Sequence, residues 1–410
     1  MSSLDQISPT FVSTFMRQIK MLQMVGVDIF DDTNTSFIRK HGRLILFTGM
    51  ILFMFVGLIL YIVKRKEVDA SFLDVVKAIP SILVLIQSMI KIIVVTIKRN
   101  KIKQLFLAIG KLWKIDYENN AKNLEMHSWI RRLKLWDNVM FGAMAVSIMF
   151  FAFVPLVVTI YRFYSESKPE YKFLLEMYFF SHVDSHLTYS IAVAYQVVTC
   201  VLCQMCIYTP CDYLLLHLSF SIAALLSLVQ IDLLSLKGTN LEDLDFYWND
   251  NCEDIKSIVK THQMLLSLAG RLNKIFKEII FSQVYLSSVI ICCYLFTAVF
   301  QMSKYGVAPI LGDLMASMAV LVEMLTLAVP GEVIADTSSG IAYAAYQSPW
   351  YERSYKFRKY IAILIVRAQK PIHLSALGFS DLTLVMFSKV VSTTWSYLSL
   401  LNQMTKKLDL

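Results

Sequence analysis

A chain of 410 residues that is 56% hydrophobic and only 17% charged has the composition of a membrane protein with several spans, not of a soluble domain. Its seven cysteines are odd in number and lack the paired spacing of a secreted disulfide framework. The formal charge of +8 is distributed through the connections between apolar runs, and nucleic acid is not an expected partner.

Segment 1–43 is mixed and charged, and no cleavable leader is visible before the first long apolar run, so the first span is expected to direct its own insertion. A helix needs about 20 mostly apolar residues to cross a bilayer. Seven runs qualify: 44–63, 72–97, 137–160, 188–209, 279–301, 308–330 and 379–404. Pro80 and Pro155 are expected to kink spans 2 and 3. Lys77 and Lys91 lie near the two ends of span 2, where long stems are expected to snorkel. Cys200, Cys203 and Cys206 sit in the apolar run of span 4 and read as helix-packing thiols rather than metal ligands.

The basic residues orient the spans. Of the 39 Lys and Arg, 27 fall in the N-terminal segment and the 2–3, 4–5 and 6–7 connections, against 9 in the others and the tail. The run Lys98-Arg-Asn-Lys-Ile-Lys103 marks the inner side most sharply. This places the N-terminus in the cytosol and the C-terminus outside, the reverse of a G-protein-coupled receptor. The sequon Asn34-Thr35-Ser36 then lies in the cytosol and should stay unmodified.

Apolar positions at helical spacing continue into the connections, over 101–136, 212–236 and 254–277. These read as spans 2 to 5 extending below the membrane, with a polar, acidic turn at 237–251. Between spans 6 and 7, residues 350–371 read as a short, basic amphipathic helix started by Ser348-Pro349 and stopped by Pro371. Gly378 breaks the chain before span 7. The resulting organisation is an N-terminal segment 1–43, spans 1–4 over 44–211 and a cytosolic helical connection 212–278. Spans 5–6 with their inner extension follow over 279–347, then a cytosolic helix 348–378 and a last span with its tail over 379–410.

Span 7 is not uniformly apolar. Lys389, Thr393, Ser396 and Gln403 recur at helical spacing among Val, Leu, Trp and Tyr. Lipid cannot satisfy such a stripe, so it faces either neighbouring helices or water in a pore. Glu323 near the middle of span 6 is an intramembrane carboxylate, either paired with a neighbouring helix or serving ion passage. His182-Val-Asp-Ser-His186 has ligand-like spacing but reads as loop.

Tyr-rich residues ending the sixth span with Pro349-Trp350-Tyr351, then Arg367-Ala-Gln-Lys-Pro371, Leu374-x-Ala-x-Gly378-Phe379 and Ser396-Tyr397-x-x-x-Leu401, resemble the insect odorant receptor family. The run Ser396-Tyr397-x5-Gln403-Met404 is also similar, with two departures, to the gustatory receptor signature. The expansion of the 4–5 connection in the family's co-receptor is absent, so the chain resembles a tuning subunit.

The resemblance implies an all-α protein of seven spans with a cytosolic anchor domain and a pore lined by the last helix. It implies an odorant-binding subunit of a ligand-gated, non-selective cation channel, assembled with the co-receptor as a heterotetramer in the cell membrane of an olfactory dendrite. The alternative is a gustatory-type ligand-gated channel. Permeating cations, a small volatile organic ligand and membrane lipid are the remaining partners. The resemblance puts the constriction at Tyr397 and Leu400, with Gln403 and Met404 one turn later and Thr393 and Ser396 on the same stripe.

The ligand is expected in the outer half of spans 2 to 6. Candidates are Val76, Ile79, Pro80 and Leu83 on span 2, and Phe150, Phe151 and Val154 on span 3. Tyr189, Ala192 and Tyr195 on span 4 and Met315 and Met318 on span 6 complete the set. A transporter is disfavoured because no internal repeat of the spans is visible. No phosphate loop or zinc-protease motif suggests an enzyme, and no cofactor or metal is expected.

Overall fold

The computed structural model describes residues 7–30, 37–65, 72–113, 120–149, 157, 160, 173, 175–179, 186–238, 252–305 and 310–407. Its helices are α1 (Pro9–Met24), α2 (Phe37–Val63), α3 (Phe72–Leu112), α4 (Asn120–Ile148) and α5 (His186–Cys203). A π turn (Gln204–Tyr208) leads into α6 (Thr209–Leu234), followed by α7 (Glu253–Tyr305) and α8 (Ile310–Gln347). A 3-10 turn (Trp350–Glu352), α9 (Tyr355–Ala368), strands β1 (Ser375–Ala376) and β2 (Ser380–Asp381), and α10 (Leu384–Lys407) complete the chain.

Five stretches are long and apolar enough to cross a membrane: Gly42–Val63, Phe72–Leu112, Leu187–Leu234, Glu253–Gln301 and Gly312–Gln347. They carry the expected spans 1, 2, 4, 5 and 6, so the chain is a multi-pass membrane protein. Helix α4 holds the first part of expected span 3. The continuation of that span, with Pro155, and the sequon at Asn34 lie outside the described residues. Helix α10 matches expected span 7 but starts at Leu384, not at 379.

The extended helices have one physical cause. Helix α6 is apolar nearly all round, and such a helix must be surrounded to be stable. It is buried along almost its whole length, packed against α1, α3, α4, α7 and α8. Its Leu214, Leu218, Ile222, Leu226 and Leu233 share one continuous core with Ile102 and Phe106 of α3, Leu265, Leu272 and Phe276 of α7, and Ile334 and Ile341 of α8. Expected extension 101–136 is two pieces, the end of α3 at Leu112 and a fresh start of α4 at Asn120.

Helix α1 is a feature the charged N-terminal segment did not announce. Phe11, Phe15, Ile19 and Leu22 bury one face of it. Phe15 meets Phe106 edge-on at 5.0 Å, and Phe11 lies 5.4 Å from the Trp113 ring. The buried Gln18 amide reaches His217 of α6 at 3.2 Å, and the same His217 Nε2 lies 2.7 Å from Asp137 of α4. Three helices are thus pinned at one polar point inside an apolar core.

The amphipathic helix after span 6 is present, started by Ser354 rather than by Ser348-Pro349. The Ser354 hydroxyl accepts from the Phe357 amide at 3.2 Å, an N-cap. Phe357, Ile361, Leu364 and Ala368 form its buried stripe. Buried Arg353 pairs with Asp254 at the start of α7, 2.8 Å away, which ties this helix to the α7 extension. The β1–β2 hairpin then turns through Leu377 and Gly378, with φ of 54° and 86°. Gly378 therefore makes a turn rather than simply opening the span.

Gly331 of α8 faces this linker at close range. A Cβ there would collide with the Leu382 carbonyl oxygen, a backbone atom that cannot swing aside. Gly331→Ala should therefore lower thermal stability by about 1–3 kcal/mol. Gly142→Ala, where a Cβ meets open space, should leave the melting temperature unchanged or slightly higher. Thermal melts of the two purified variants check this; equal melting temperatures would contradict the close packing.

Candidate ligand chambers and pore face

A knot of polar side chains lies where α3, the π turn, α6, α7 and α8 meet. Lys91 of α3 is fully buried and does not snorkel, contrary to the sequence expectation. Its ammonium pairs with Asp212 Oδ2 at 2.8 Å and sits 3.3 Å from the centroid of the Tyr208 ring. The reason is partner supply. A fixed carboxylate and an aromatic face at short range replace the water that snorkelling would seek.

The network extends beyond the ion pair. The Tyr208 hydroxyl donates to Gln87 Oε1 at 2.6 Å and accepts from the Gln283 amide at 2.8 Å. Gln87 in turn donates to the Ser287 hydroxyl at 3.2 Å. Gln204 Nε2 donates to Glu323 Oε1 at 3.1 Å. The π turn carries both Gln204 and Tyr208. A π turn adds one residue to the helical repeat and so re-aims the side chains that follow. Here it directs the start of α6 into the knot.

Two cavities flank α8 around this knot. The smaller, about 150 Å³, is walled by Val84 and Leu85 of α3, Cys203 and Tyr208 before α6, Tyr294 of α7 and Val320 of α8. The larger, about 240 Å³, lies between α4, α6 and α8, with Met140, Met144, Met315 and Met318 in its walls and Asp212 at its base. Gln204, Ala319 and Glu323 line both. The Gln204–Glu323 hydrogen bond is therefore the partition between two chambers.

The expected ligand residues distribute unevenly over these chambers. Met315 and Met318 line the larger one. Leu83 packs with Ile290, Ile291 and Met324, one position before the cavity wall at Val84. Val76, Ile79 and Pro80 lie further toward the start of α3 and line neither cavity. Tyr189 packs on Phe173, and Tyr195 stands edge-on to Phe53 of α2, its hydroxyl donating to the Met50 carbonyl. Ala192 is buried in α5. Phe150, Phe151 and Val154 lie outside the described residues, as does His182, and the side chain of His186 is also undescribed. Sequence reasoning missed Tyr208, Tyr294 and Gln204; the clue was Tyr208 itself, a tyrosine at the inner end of an apolar span.

Helix α10 buries a narrow stripe. Met386, Thr394 and Leu398 are buried, with Val390 partly buried between them, as the helix packs on α7 and α8. Thr393, Ser396, Tyr397, Leu400 and Gln403 are exposed, as is Lys389. The Thr393 and Ser396 hydroxyls bond backward to the Lys389 and Ser392 carbonyls, so they satisfy themselves within the helix. The side chain of Met404 lies outside the described residues. The buried stripe fixes the helix to its own chain and leaves the residues expected at the pore on its open side.

Removing one partner of a buried ion pair strands the other charge. Lys91→Met should destabilise the protein by about 3–5 kcal/mol, and a compensating Asp212→Leu should restore most of the loss. Unfolding measurements on the single and double variants check this. A harmless single variant would mean that the pair carries no load.

A model of the family described as 7tm odorant receptor matches residues 71–395. Odorant receptor 49a of Drosophila melanogaster is 28% identical over 158 residues, 38% of this chain and 39% of that receptor. Putative odorant receptor 92a of the same species is 23% identical over 394 residues, 92% of this chain and 91% of that protein. Most of the other curated relatives are matched over about two fifths of their own length. The solved olfactory receptor OR5 of Machilis hrabei in complex with eugenol superposes with a TM-score of 0.79 at 13% identity, covering 96% of this chain and 98% of that one.

Proposed function

Because the chain belongs to the 7tm odorant receptor family, we propose that it is the odorant-binding subunit of a ligand-gated, non-selective cation channel. The family is one of receptors and not of enzymes, as the lack of catalytic motifs led one to expect. In this reading the subunit assembles with the odorant co-receptor as a heterotetramer in the olfactory cell membrane, its N-terminus cytosolic and its C-terminus outside. The surrounded α6, the lower halves of α3, α7 and α8, and α9 form the anchor that holds subunits together, and α10 lines the pore.

The observation that carries the ligand assignment is the chamber walled by Val84, Leu85, Cys203, Tyr294 and Val320 and closed by Tyr208 and Glu323. It is apolar with a few convergent polar groups, the usual character of a small-molecule site. A volatile ligand burying about 250 Å² there gains about 6 kcal/mol at ~25 cal/mol per Å². Association costs offset much of this, so broad, weak binding follows. Val76, Ile79, Pro80 and Leu83 then belong to the entry side of the bundle, with Tyr189, Ala192 and Tyr195. Met315 and Met318 belong to the adjoining chamber.

The exposed face of α10 supports the pore assignment. In the tetramer Leu400 would contribute to an apolar ring, completed by the other subunits' last helices, that closes by dewetting. Tyr397 and Gln403 flank that ring, with Thr393 and Ser396 on the inner side and Met404 beyond it. Lys389 lies three turns inward, toward the wider vestibule. Leu400→Ala should raise ligand-independent current several-fold in patch-clamp recordings from cells expressing both subunits; unchanged closed-state leak would count against this gate.

Expression with and without the co-receptor, with G-protein signalling blocked, tests the whole reading. Odour-evoked current that needs the co-receptor and survives the block is expected. Current from this chain alone would favour the gustatory-type alternative, and a response that vanishes under the block would remove the channel reading.

A further inference from the structure

The larger chamber has a chemistry that a neutral odorant does not use. Its walls are largely apolar, with Met140, Met144, Met315 and Met318, and also carry two carboxylates, Asp212 and Glu323. Among the described residues of the knot a single ammonium, Lys91, faces them, and it is committed to Asp212 Oδ2. Asp212 is 7% exposed and its Oδ1 has no hydrogen-bond partner among the described residues. Tyr213, 2% exposed and in the same wall, has a hydroxyl that likewise finds no partner among them. Buried polar atoms are nearly always paired, and two orphans in one cavity wall mark a place built for something else.

We propose that this chamber is a second ligand site, selective for a protonated organic amine. The ammonium docks between Asp212 Oδ1 and Glu323 and donates to both; the Tyr213 hydroxyl accepts a third N–H. The apolar part of the ligand lies against the four methionines, whose flexible, polarizable side chains adapt to varied shapes. Exposed Val146 and Met318 form the rim through which the ligand enters. Among the described residues of the knot two carboxylates share the one ammonium of Lys91, and the ligand's cation supplies a second positive charge. The Gln204–Glu323 partition puts this ligand in contact with the wall of the odorant chamber. Occupancy of one chamber is thereby felt in the other.

The inference extends the ligand-receptor reading to a second chamber and a charged ligand class, and its test reads binding rather than current. The full chain is purified in lipid nanodiscs, and binding of 2-phenylethylamine and of its neutral isostere 2-phenylethanol is measured by calorimetry. The amine should bind at least about tenfold more tightly than the alcohol, the equivalent of one charge-assisted hydrogen bond. Glu323→Gln should erase that difference; because Glu323 also lines the odorant chamber, the ratio of the two affinities is read and not the alcohol's own affinity. Should Glu323→Gln fail to fold, Met318→Trp fills the chamber from its exposed rim, away from the ion pair, and should abolish the amine preference alone. Equal affinities for the two compounds in the parent protein, or an unchanged amine preference in the folded variants, would overturn the proposal. Loss of odour-evoked current would sink the proposed channel function and leave this result standing, so the two failures are distinct.

Discussion

The buried pairing of Lys91 with Asp212 is the constraint on which the rest of this molecule depends. An ammonium placed in a helix bundle with no exposed surface is tolerable only if its partner is fixed in position. That requirement holds α3 against the start of α6 and puts the Tyr208 ring over the charge. Gln204 and Tyr208, four residues apart, share one helix face, and the extra residue of the π turn re-aims the start of α6, with Asp212, toward Lys91.

From this point the chain is organised in two directions. Toward one end, α6 enters a ring of helices and supplies the continuous core of the extended bundle, with α1 and α9 packed on it. Toward the other, the same knot closes two adjoining chambers that share a wall at Gln204, Ala319 and Glu323. A ligand that presses on Tyr208 or on the Gln204–Glu323 bridge therefore acts on the helices that also form the platform. Helix α10 is attached to α7 and α8 by a narrow buried stripe, with its opposite face left open. In the proposed channel, coupling from chamber to pore would run through α8, which touches the knot and α10 alike.

Much of the fold was legible in the sequence. Apolar length located five of the seven expected spans, and helical periodicity beyond them announced the extensions of α3, α6 and α7. Ser-Pro and Lys-Pro punctuation bracketed α9 to within a few residues. What periodicity does not encode is pairing. Lys91 read as a snorkelling end-of-span residue because its partner lies 121 positions away in sequence, and a lone lysine near a span end is ordinarily solvated. The N-terminal helix hid because its buried face, Phe11, Phe15, Ile19 and Leu22, is interleaved with polar residues in a segment whose overall character is charged. The cavity walls were the least legible. Spans 2 to 6 are apolar on every face, so composition cannot tell a cavity wall from a lipid-facing or packed position. Leu83 against Val84 illustrates this: one step along the helix separates a packed side chain from one that lines a chamber.

A structure of the assembled receptor in lipid with a bound odorant tests the central claim most directly. The account predicts ligand density beside Tyr208 and Glu323, between α3, α5 and α8, with Lys91 still paired to Asp212 and α10 displaced from the pore axis. Ligand density remote from both chambers, or a solvated Lys91 turned away from Asp212, would contradict it.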